Sequence, residues 1–379
     1  MAYDFSRVTA YLQEVHGRLG APCCDAIVYF RGRQVYRYMT GVARRDENRP
    51  VSADTLYFLY SCTKPVTAAA AMQLVERGVW RLEDPLSRYL PEFSEMTVEA
   101  EGKRAPARPI TLRHLLTMSA GFHYTLRSPQ ITARRERFGC AATTRQMIGA
   151  YAEMPLGFQP GERYEYSVCM DVLAAALEAA SGMRFGEYLR KNIFDPLGME
   201  EIGFTPTPEQ QSRIADQYCS EGIGVLREVG RTVGDFRLSE GFESGGAGLF
   251  ARLEDYGKFA AAMSCGGTLP DGGRILRPET VAQMAVPQIG RFVIDPRFGC
   301  AAGPGYSYGL GVRTLTEPSG GQRSAVGEMG WDGAGGAYIL MEPARQVAIV
   351  YAQHTLNWPA GFFNVHGPLR DAAYEALGF

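Results

Sequence analysis

Ser61 and Lys64 stand three residues apart in the stretch "SCTK", directly before an alanine-rich apolar run. Lysine is rare in this chain, with four among 39 basic residues, so its occurrence beside a serine is unusual. On a helix, residues three apart lie on one face, so the two side chains can meet. A neighbouring base activates a serine hydroxyl, and burial favours the neutral amine of a lysine, which can act as that base. The spacing predicts a serine nucleophile with a lysine partner; a capping serine followed by a solvent-pointing lysine is the alternative.

The helix that must position this pair is predicted to begin close to Ser61. Pro65 is tolerated only in the first turn of a helix, and Gly78 follows the apolar run as a stop signal. Backbone N–H groups at a helix start lack partners within the helix and can face a developing oxyanion. The preceding residues, 57–60, form an apolar approach to the serine, so Tyr60 is predicted to contact substrate.

Patterns typical of strands occur at both ends of the chain. Residues 26–30 and 34–39 are rich in β-forming residues and flank the turn residues Arg31-Gly32-Arg33, which predicts a hairpin. Between residue 85 and about residue 290, apolar residues recur at helical spacing and the runs end at glycine. The last part of the chain returns to strands at "YSYGLGVRTL", "GAYILME" and "QVAIVYAQH", with a turn at "PARQ" and a closing helix at "PLRDAAYEALG".

Strands at both ends with helices inserted between them predict an α+β fold. An antiparallel sheet built from both chain ends, with flanking helices, would form a sheet lobe of about residues 1–84 and 291–379. The insert, about residues 85–290, would form a mostly helical lobe, with the active site in the cleft between the two. We expect a single catalytic domain over residues 1–379, as a monomer or a homodimer.

Composition argues against several classes of partner. With 46% hydrophobic residues, 21% charged residues and a net charge of -2, there is no electrostatic case for nucleic acid or an anionic membrane. No run of 18 apolar residues is present to span a membrane, and no basic-then-apolar leader opens the sequence. The eight cysteines form no C-x-x-C pair, which favours reduced thiols and a cytoplasmic location.

Other catalytic patterns are absent from the sequence. Ser119 in "TMSAG" and Ser244 in "FESGG" both lack the first glycine of the G-x-S-x-G nucleophile elbow. The five histidines are dispersed, and none pairs with another at metal-ligand spacing. The segment "GAGLFA", residues 246–251, matches a degenerate dinucleotide fingerprint, but no strand precedes it, so we interpret it as a packing turn. We therefore expect neither a metal nor a cofactor.

Three short motifs occur in order along the chain: Ser61-Cys62-Thr63-Lys64, Tyr166-Ser167-Val168 and Trp331-Asp332-Gly333. This order resembles the serine β-lactamase and penicillin-binding-protein superfamily, whose motifs are Ser-x-x-Lys, Tyr-x-Asn and Lys-Thr-Gly or His-x-Gly. The most similar branch is the class C-like one of esterases, D-peptidases and amidases, and within it the family VIII carboxylesterases. The resemblance covers nearly the whole chain and includes "ITLRHLLTMSAGF", "PGERYEYSVCMDVLAAALEAASG" and "GWDGAGGAYILMEP".

The resemblance implies a role for each motif. Ser61 would be the acylated nucleophile, and Lys64 its base or electrostatic partner. Tyr166 would carry the proton to the leaving group and then activate the deacylating water. The oxyanion hole would consist of the backbone N–H groups of Ser61 and Ala334. From the residues alone, Tyr166 can equally be a packing tyrosine, and Trp331 can simply cover a sheet edge.

The chain departs from the family pattern at two positions that we expect to bind substrate. Val168 replaces an asparagine that would donate to a substrate amide carbonyl, and valine has no donor. Trp331 replaces a lysine that would anchor a carboxylate, and tryptophan offers only an indole N–H with apolar surface. Gly333 completes this third motif, and Asp332 is either a turn residue or a group that repels anionic substrates. The departures favour neutral esters with apolar groups.

The sequence therefore predicts a cytoplasmic serine hydrolase that works through an acyl-enzyme on short-chain or aryl carboxylic esters. A D-amino-acid peptidase or amidase with weak β-lactamase activity is one alternative, and an acyltransferase is another. A ligand-binding pseudoenzyme of the same fold is the non-enzymatic alternative. Residues 123–138 and 221–244 are the expected pocket walls, and arginines there would restore the carboxylate anchor that Trp331 lacks.

Overall fold

The computed structural model describes residues 3–100, 102–222, 224–269, 272–289 and 303–379. Within these ranges the α-helices are α1 Ser6–Gly17, α2 Thr63–Glu76, α3 Leu112–Leu116, α4 Pro129–Phe138, α5 Thr144–Ala152, α6 Cys169–Ser181, α7 Phe185–Leu189, α8 Pro208–Arg213, α9 Leu253–Ser264, α10 Pro278–Ala285 and α11 Gly367–Ala376. The strands are β1 Cys23–Phe30, β2 Arg33–Arg44, β3 Arg49–Pro50, β4 Leu56–Phe58, β5 Thr97–Ala100, β6 Lys103–Pro106, β7 Ile202–Gly203, β8 Gln217–Gly222, β9 Val225–Val229, β10 Phe250–Arg252, β11 Tyr306–Tyr308, β12 Arg313–Leu315, β13 Met329–Asp332, β14 Tyr338–Glu342, β15 Val347–Ala352 and β16 Thr355–Leu356.

An eight-stranded antiparallel sheet joins the two ends of the chain. Its strand order is β11-β12-β13-β14-β15-β1-β2-β3, and β1 pairs with β15 so that Ala26 lies opposite Tyr351. The predicted α+β fold with a sheet built from both chain ends is therefore confirmed. The predicted first hairpin is present with longer strands, and Arg31 and Gly32 at its turn have φ of 52° and 73°, values typical of a type I′ turn.

The stretch "YSYGLGVRTL", predicted as one strand, forms the two strands β11 and β12 instead. Tyr308 and Arg313 face each other across this hairpin, and Gly311 has a φ of +76° in the connecting turn. A Cβ at Gly311 would lie 2.3 Å from the Cβ of Ala68 in α2, so only glycine fits this approach. The turn therefore brings the edge of the sheet against the helix that begins after Ser61.

Helices cover both faces of this sheet. Because side chains alternate along a strand, Ala26 and Val28 of β1 pack with α1 and α11, while Ile27 and Tyr29 pack into the core on the opposite face. That second face is covered by α9, which contacts β1, β14 and β15. A Cβ at Gly257 of α9 would lie 2.6 Å from the Tyr29 ring, so glycine permits this close packing.

The insert predicted over residues 85–290 is less uniform than expected. Its α9 packs on the sheet, and the insert also contains the hairpin β5–β6 and strands β7 to β10. Its helices α3 and α5 pack around α6, and α6 packs on α2. Helix α2 is buried over most of its surface, including all four alanines of residues 68–71, so it lies between the helices of the insert and the sheet. No helix within the described ranges is long and apolar enough to cross a membrane.

Candidate active site

Ser61 lies in a single 3₁₀ turn, Tyr60–Cys62, between strand β4 and helix α2. Tyr60 has a φ of +47°, an uncommon value for a residue with a side chain, so the chain turns sharply just before the serine. The Tyr60 ring is buried, its hydroxyl donates to Gln217 Oε1, and Gly335 packs against the ring. Tyr60 was predicted to contact substrate; the structure instead places it in the interior beneath the site, where it supports the turn.

Lys64 is fully buried and points at the serine. Its Nζ lies 3.1 Å from Ser61 Oγ and 2.7 Å from the carbonyl oxygen of Gly246. The alternative of a capping serine with a solvent-pointing lysine is therefore wrong. Gly246 belongs to the segment interpreted as a packing turn, and its carbonyl orients the amine toward Ser61.

The buried carboxylate of Asp171 holds the Gly246 backbone that contacts Lys64. Asp171 Oδ1 accepts from Ser244 Oγ at 2.5 Å and from the backbone N–H of Gly246 at 3.2 Å. Burial raises the pKa of Asp171, and the hydrogen bonds from Ser244 and Gly246 oppose this shift. A Cβ at Gly246 would lie 2.6 Å from Asp171 Oδ2, so glycine is required where the carboxylate meets the backbone. The sequence analysis missed Asp171; the available signal was an acid in the first turn of the mostly apolar helix α6.

Tyr166 approaches the serine from the other side. Its hydroxyl donates to Ser61 Oγ at 2.6 Å, so the serine oxygen lies between the phenol and the Lys64 amine. The ring is stacked between Tyr124 and Trp331, with centroid distances of 5.3 and 5.6 Å. Tyr166 therefore packs and contacts the serine at once, and its ring lies 4.5 Å from Lys64 Nζ.

Tyr124 is a second phenol near the serine that the sequence analysis assigned only to a pocket wall. Burial raises its pKa well above the usual range, and the Ser61 hydroxyl partly opposes this shift. A phenol with a raised pKa stays protonated at neutral pH, so Tyr124 can donate a hydrogen bond but is a poor base. Only Tyr166 of the two forms a short hydrogen bond to Ser61 among the described contacts.

We expect the two tyrosines to differ sharply when each is replaced by phenylalanine. Tyr166→Phe removes the hydroxyl that touches Ser61 Oγ and should lower kcat by about 100-fold or more. Tyr124→Phe keeps the stacked ring and should change kcat only a few-fold. Steady-state hydrolysis of a nitrophenyl ester by both variants is the measurement, with melting temperatures to verify folding. Equal losses in the two variants would contradict the assignment of the proton-transfer position to Tyr166.

Ser61 and Ala334 carry the two backbone N–H groups predicted to form an oxyanion hole. Neither the N–H of Ser61 nor that of Ala334 donates to an acceptor within the described part of the chain. Ala334 follows Gly333, where a Cβ would lie 2.2 Å from the carbonyl oxygen of Leu59. Glycine at this position therefore lets the end of strand β13 approach the segment that carries Ser61. Ser61 and Ala334 both line the same pocket.

This pocket has a volume of about 610 Å³ and opens over Ser61. Aromatic side chains dominate its lining, among them Tyr124, Tyr166, Phe236, Trp331, Trp358 and Phe362. No arginine, lysine or histidine occurs among the described residues that line it, and Asp332 is its single carboxylate. We call it the aromatic pocket; it suits an uncharged, apolar group next to the serine.

Asp332 is neither a turn residue nor an isolated negative charge. It is the last residue of strand β13, and both carboxylate oxygens lie 3.1 Å from Arg313 Nη1. Its Oδ1 also contacts His366 Nδ1 at 3.0 Å, while the other ring nitrogen lies 3.2 Å from the carbonyl oxygen of Gly336. Arg313 offsets the charge of Asp332, and His366 ties it to the turn that carries Ala334.

A family model for Beta-lactamase matches residues 8–372, nearly the whole chain. The chain belongs to the β-lactamase family. The resemblance to the serine β-lactamase and penicillin-binding-protein superfamily is thereby confirmed. Within the family, esterase EstB from Burkholderia gladioli is 30% identical over 377 residues, which covers 92% of this chain and 90% of that protein.

Two solved structures show the same fold for this β-lactamase-family chain. EstCE1, described as a hydrolase with promiscuous acyltransferase activity, is 26% identical with a TM-score of 0.76 and covers 97% of both chains. Simvastatin synthase (LovD) from Aspergillus terreus is 27% identical with a TM-score of 0.80 and covers 98% of both chains. Together with the family match, these relatives support a serine hydrolase or acyltransferase of this fold.

The second motif departs from the β-lactamase family pattern in a way that the structure clarifies. Val168 was predicted to bind substrate, but its side chain is fully buried in the core and does not line the aromatic pocket. Its carbonyl oxygen accepts from the N–H groups of Asp171 and Val172 at the start of α6. The Lys64 amine is held by the carbonyl oxygen of Gly246.

The described part of the chain contains no group of three or more His, Cys, Asp or Glu side chains arranged to hold a metal ion.

Proposed function

We propose that this protein is a serine esterase that forms an acyl-enzyme on Ser61, with short-chain or aryl carboxylic esters as substrates. One observation carries the proposal: Ser61 Oγ lies between Lys64 Nζ and the Tyr166 hydroxyl at the base of an aromatic pocket whose described lining holds no cation. A neutral ester with an apolar group matches this lining, whereas a substrate carboxylate would find no cation among its described residues.

In the acylation step, Ser61 Oγ attacks the ester carbonyl carbon and loses its proton to the neutral Lys64 amine. That amine donates one N–H to Gly246 and keeps its lone pair for the serine proton. The carbonyl oxygen becomes an oxyanion that the N–H groups of Ser61 and Ala334 can stabilise. When the C–O bond to the leaving group breaks, Tyr166 delivers a proton to the departing alkoxide and is reprotonated from Lys64.

In the deacylation step, water replaces the lost alcohol. Tyr166 passes its hydroxyl proton to the Lys64 amine and takes a proton from this water in its place. The resulting hydroxide attacks the acyl carbonyl carbon. Collapse of the second oxyanion returns the proton to Ser61 Oγ and releases a carboxylic acid. Each acid–base contact of this kind contributes about 10² to 10⁴ in rate, which is the scale expected of general catalysis.

Comparing three substrates tests the proposal. A nitrophenyl butyrate ester should be turned over far faster than a D-alanyl anilide or a chromogenic cephalosporin. A fluorophosphonate probe should label one serine, identified as Ser61 by mass spectrometry of the digested protein. Labelling at another residue, or a preference for the anilide or the cephalosporin, would contradict the proposal.

Acyl transfer is a second candidate, favoured by two of the similar proteins. EstCE1 is described as having acyltransferase activity, and the relatives include a monacolin J acid methylbutanoyltransferase from Aspergillus terreus. An apolar pocket can hold an acceptor alcohol in place of water. Measuring the ratio of new ester to free acid while an alcohol is added would distinguish hydrolysis from acyl transfer. A hydrolase keeps releasing mainly acid, whereas an acyltransferase releases mainly the new ester.

A further inference from the structure

A second cavity borders the aromatic pocket. It has a volume of about 760 Å³, and Leu126 lines both cavities. Phe236 lines the aromatic pocket, while its chain neighbours Asp235 and Arg237 line the second cavity. The two cavities therefore share a wall formed by Leu126 and the segment around Phe236. Both wall segments fall inside the ranges predicted to form the sides of the pocket.

The second cavity differs from the first in charge. Four arginines line it, against the two carboxylates of Asp235 and Glu240: Arg127, Arg135, Arg231 and Arg237. Thr205 and Thr232 add hydroxyl groups to the same lining. We call it the arginine cavity. Its excess of positive charge lies next to a pocket in which no cation occurs among the described lining residues.

Internal partners use only part of these arginine donors. Arg127 is exposed and pairs with Asp235 at 2.7 Å, and Arg135 Nε donates to the carbonyl oxygen of Leu238 at 2.8 Å. Each of these two arginines therefore has a partner within the chain.

The other two arginines retain buried donors. Arg237 donates through Nη2 to Thr205 and to the backbone of Glu240, yet its Nε is buried with no acceptor among the described residues. Arg231 Nη1 is likewise buried without a hydrogen bond, and it forms an ion pair with Asp216 at 4.0 Å. Both arginines also line the cavity, so an oxygen anion bound there would gain charge-assisted contacts with their guanidinium groups.

We propose that the arginine cavity is a subsite for an anionic end group of the substrate, a carboxylate or a phosphate monoester. The proposal rests on the proposed esterase function. The scissile ester and an apolar segment occupy the aromatic pocket over Ser61, and the anion reaches past Leu126 toward Arg231 and Arg237. The carboxylate anchor that Trp331 does not supply is thereby provided by a different wall of the site.

A matched pair of esters tests this subsite. One ester carries a terminal carboxylate on an alkyl spacer, the other a methyl amide of the same length, and spacers of increasing length locate the anion. Arg231→Gln and Arg237→Gln should each raise KM for the anionic ester by about tenfold, the scale of one charge-assisted hydrogen bond. The neutral ester should keep its kcat and KM in both variants, which also verifies folding.

Arg227→Gln is the matched control. Arg227 lies on strand β9, shortly before Arg231 in the chain, and it is exposed and pairs with Glu221 outside the cavity. It should leave both esters unchanged. A third arm replaces the carboxylate by a phosphate monoester, and the lower KM of the two identifies the preferred anion. Added salt should raise KM for the anionic esters only.

The outcomes separate this proposal from the proposed function. No turnover of either ester would overturn the esterase assignment itself. Turnover of both esters with equal KM in the unmodified protein, or equal changes for both in the arginine variants, would overturn the anionic subsite and leave the esterase intact. Turnover of only the corresponding anionic amide would reassign the cavity to peptide substrates and overturn the ester proposal.

Discussion

Replacing Ser61 by alanine should abolish ester hydrolysis and fluorophosphonate labelling together. The substitution removes the oxygen atom that Lys64 and Tyr166 both contact. Neither residue then has a nucleophile to activate. We expect kcat to fall by about 10⁴-fold or more, because loss of the nucleophile eliminates the whole covalent pathway, whereas loss of a supporting residue removes a single contact. The fold should persist, because alanine fills the same short turn and the serine hydroxyl takes no part in capping α2.

Ser119→Ala is the control for this experiment. Ser119 lies in one of the two glycine-containing serine stretches compared with the nucleophile elbow, but its hydroxyl is buried against Thr117 and does not border the aromatic pocket. This variant should label and turn over ester as the unmodified protein does. If Ser61→Ala retained measurable esterase activity while Ser119→Ala lost it, the nucleophile would have been assigned to the wrong serine.

Local sequence patterns predicted the parts of the site that depend on short-range spacing. Ser61 and Lys64 are three residues apart at a helix start, so their contact follows from helix geometry alone. The first hairpin and the end of α2, which ends at Glu76 shortly before Gly78, follow from turn and stop residues in the same way. Placing Tyr166 and Ala334 beside the serine required the family resemblance, because they lie far from it in sequence.

Contacts made by backbone atoms were beyond the sequence analysis. The carbonyl oxygen of Gly246 accepts from Lys64, and the N–H of the same residue donates to Asp171. Both contacts are made by backbone atoms, which every residue has. A glycine-rich segment gives no signal of which carbonyl faces inward. Tyr60 shows the opposite error: its position beside the nucleophile suggested substrate contact, whereas its positive φ turns the ring into the interior.

The sequence analysis did not predict helix α1 or the surface against which helix α9 packs. Helix α1 places Val8, Leu12 and Val15 on one buried face, a helical spacing that the sequence analysis did not use. Helix α9 was recognised as a helix, but its packing on the sheet depends on Gly257 and on partners far away in the chain. Periodicity predicts that a helix has an apolar face and does not identify the surface that covers it.

Replacing Lys64 by arginine should lower kcat/KM for a nitrophenyl ester by about 10³-fold. Arginine keeps the positive charge but cannot release a proton, so it cannot accept the serine proton as the neutral amine does. The larger guanidinium also has to fit where the lysine side chain is fully buried, and its donors need acceptors beyond the single carbonyl of Gly246. Fluorophosphonate labelling should slow in parallel, because acylation is the step that needs the base.

Lys258→Arg is the control that separates loss of the base at Lys64 from a general effect of replacing lysine by arginine. Lys258 pairs with Asp255 at 2.9 Å on helix α9, partly exposed and outside the aromatic pocket, so arginine can keep the ion pair there. Rates in that variant should match those of the unmodified protein. If Lys64→Arg also kept near-normal rates with an unchanged melting temperature, Lys64 would act only through its charge. The serine proton would then have to pass to Tyr166, the other group in contact with Ser61 Oγ, and Tyr166→Phe would become the more damaging of the two substitutions.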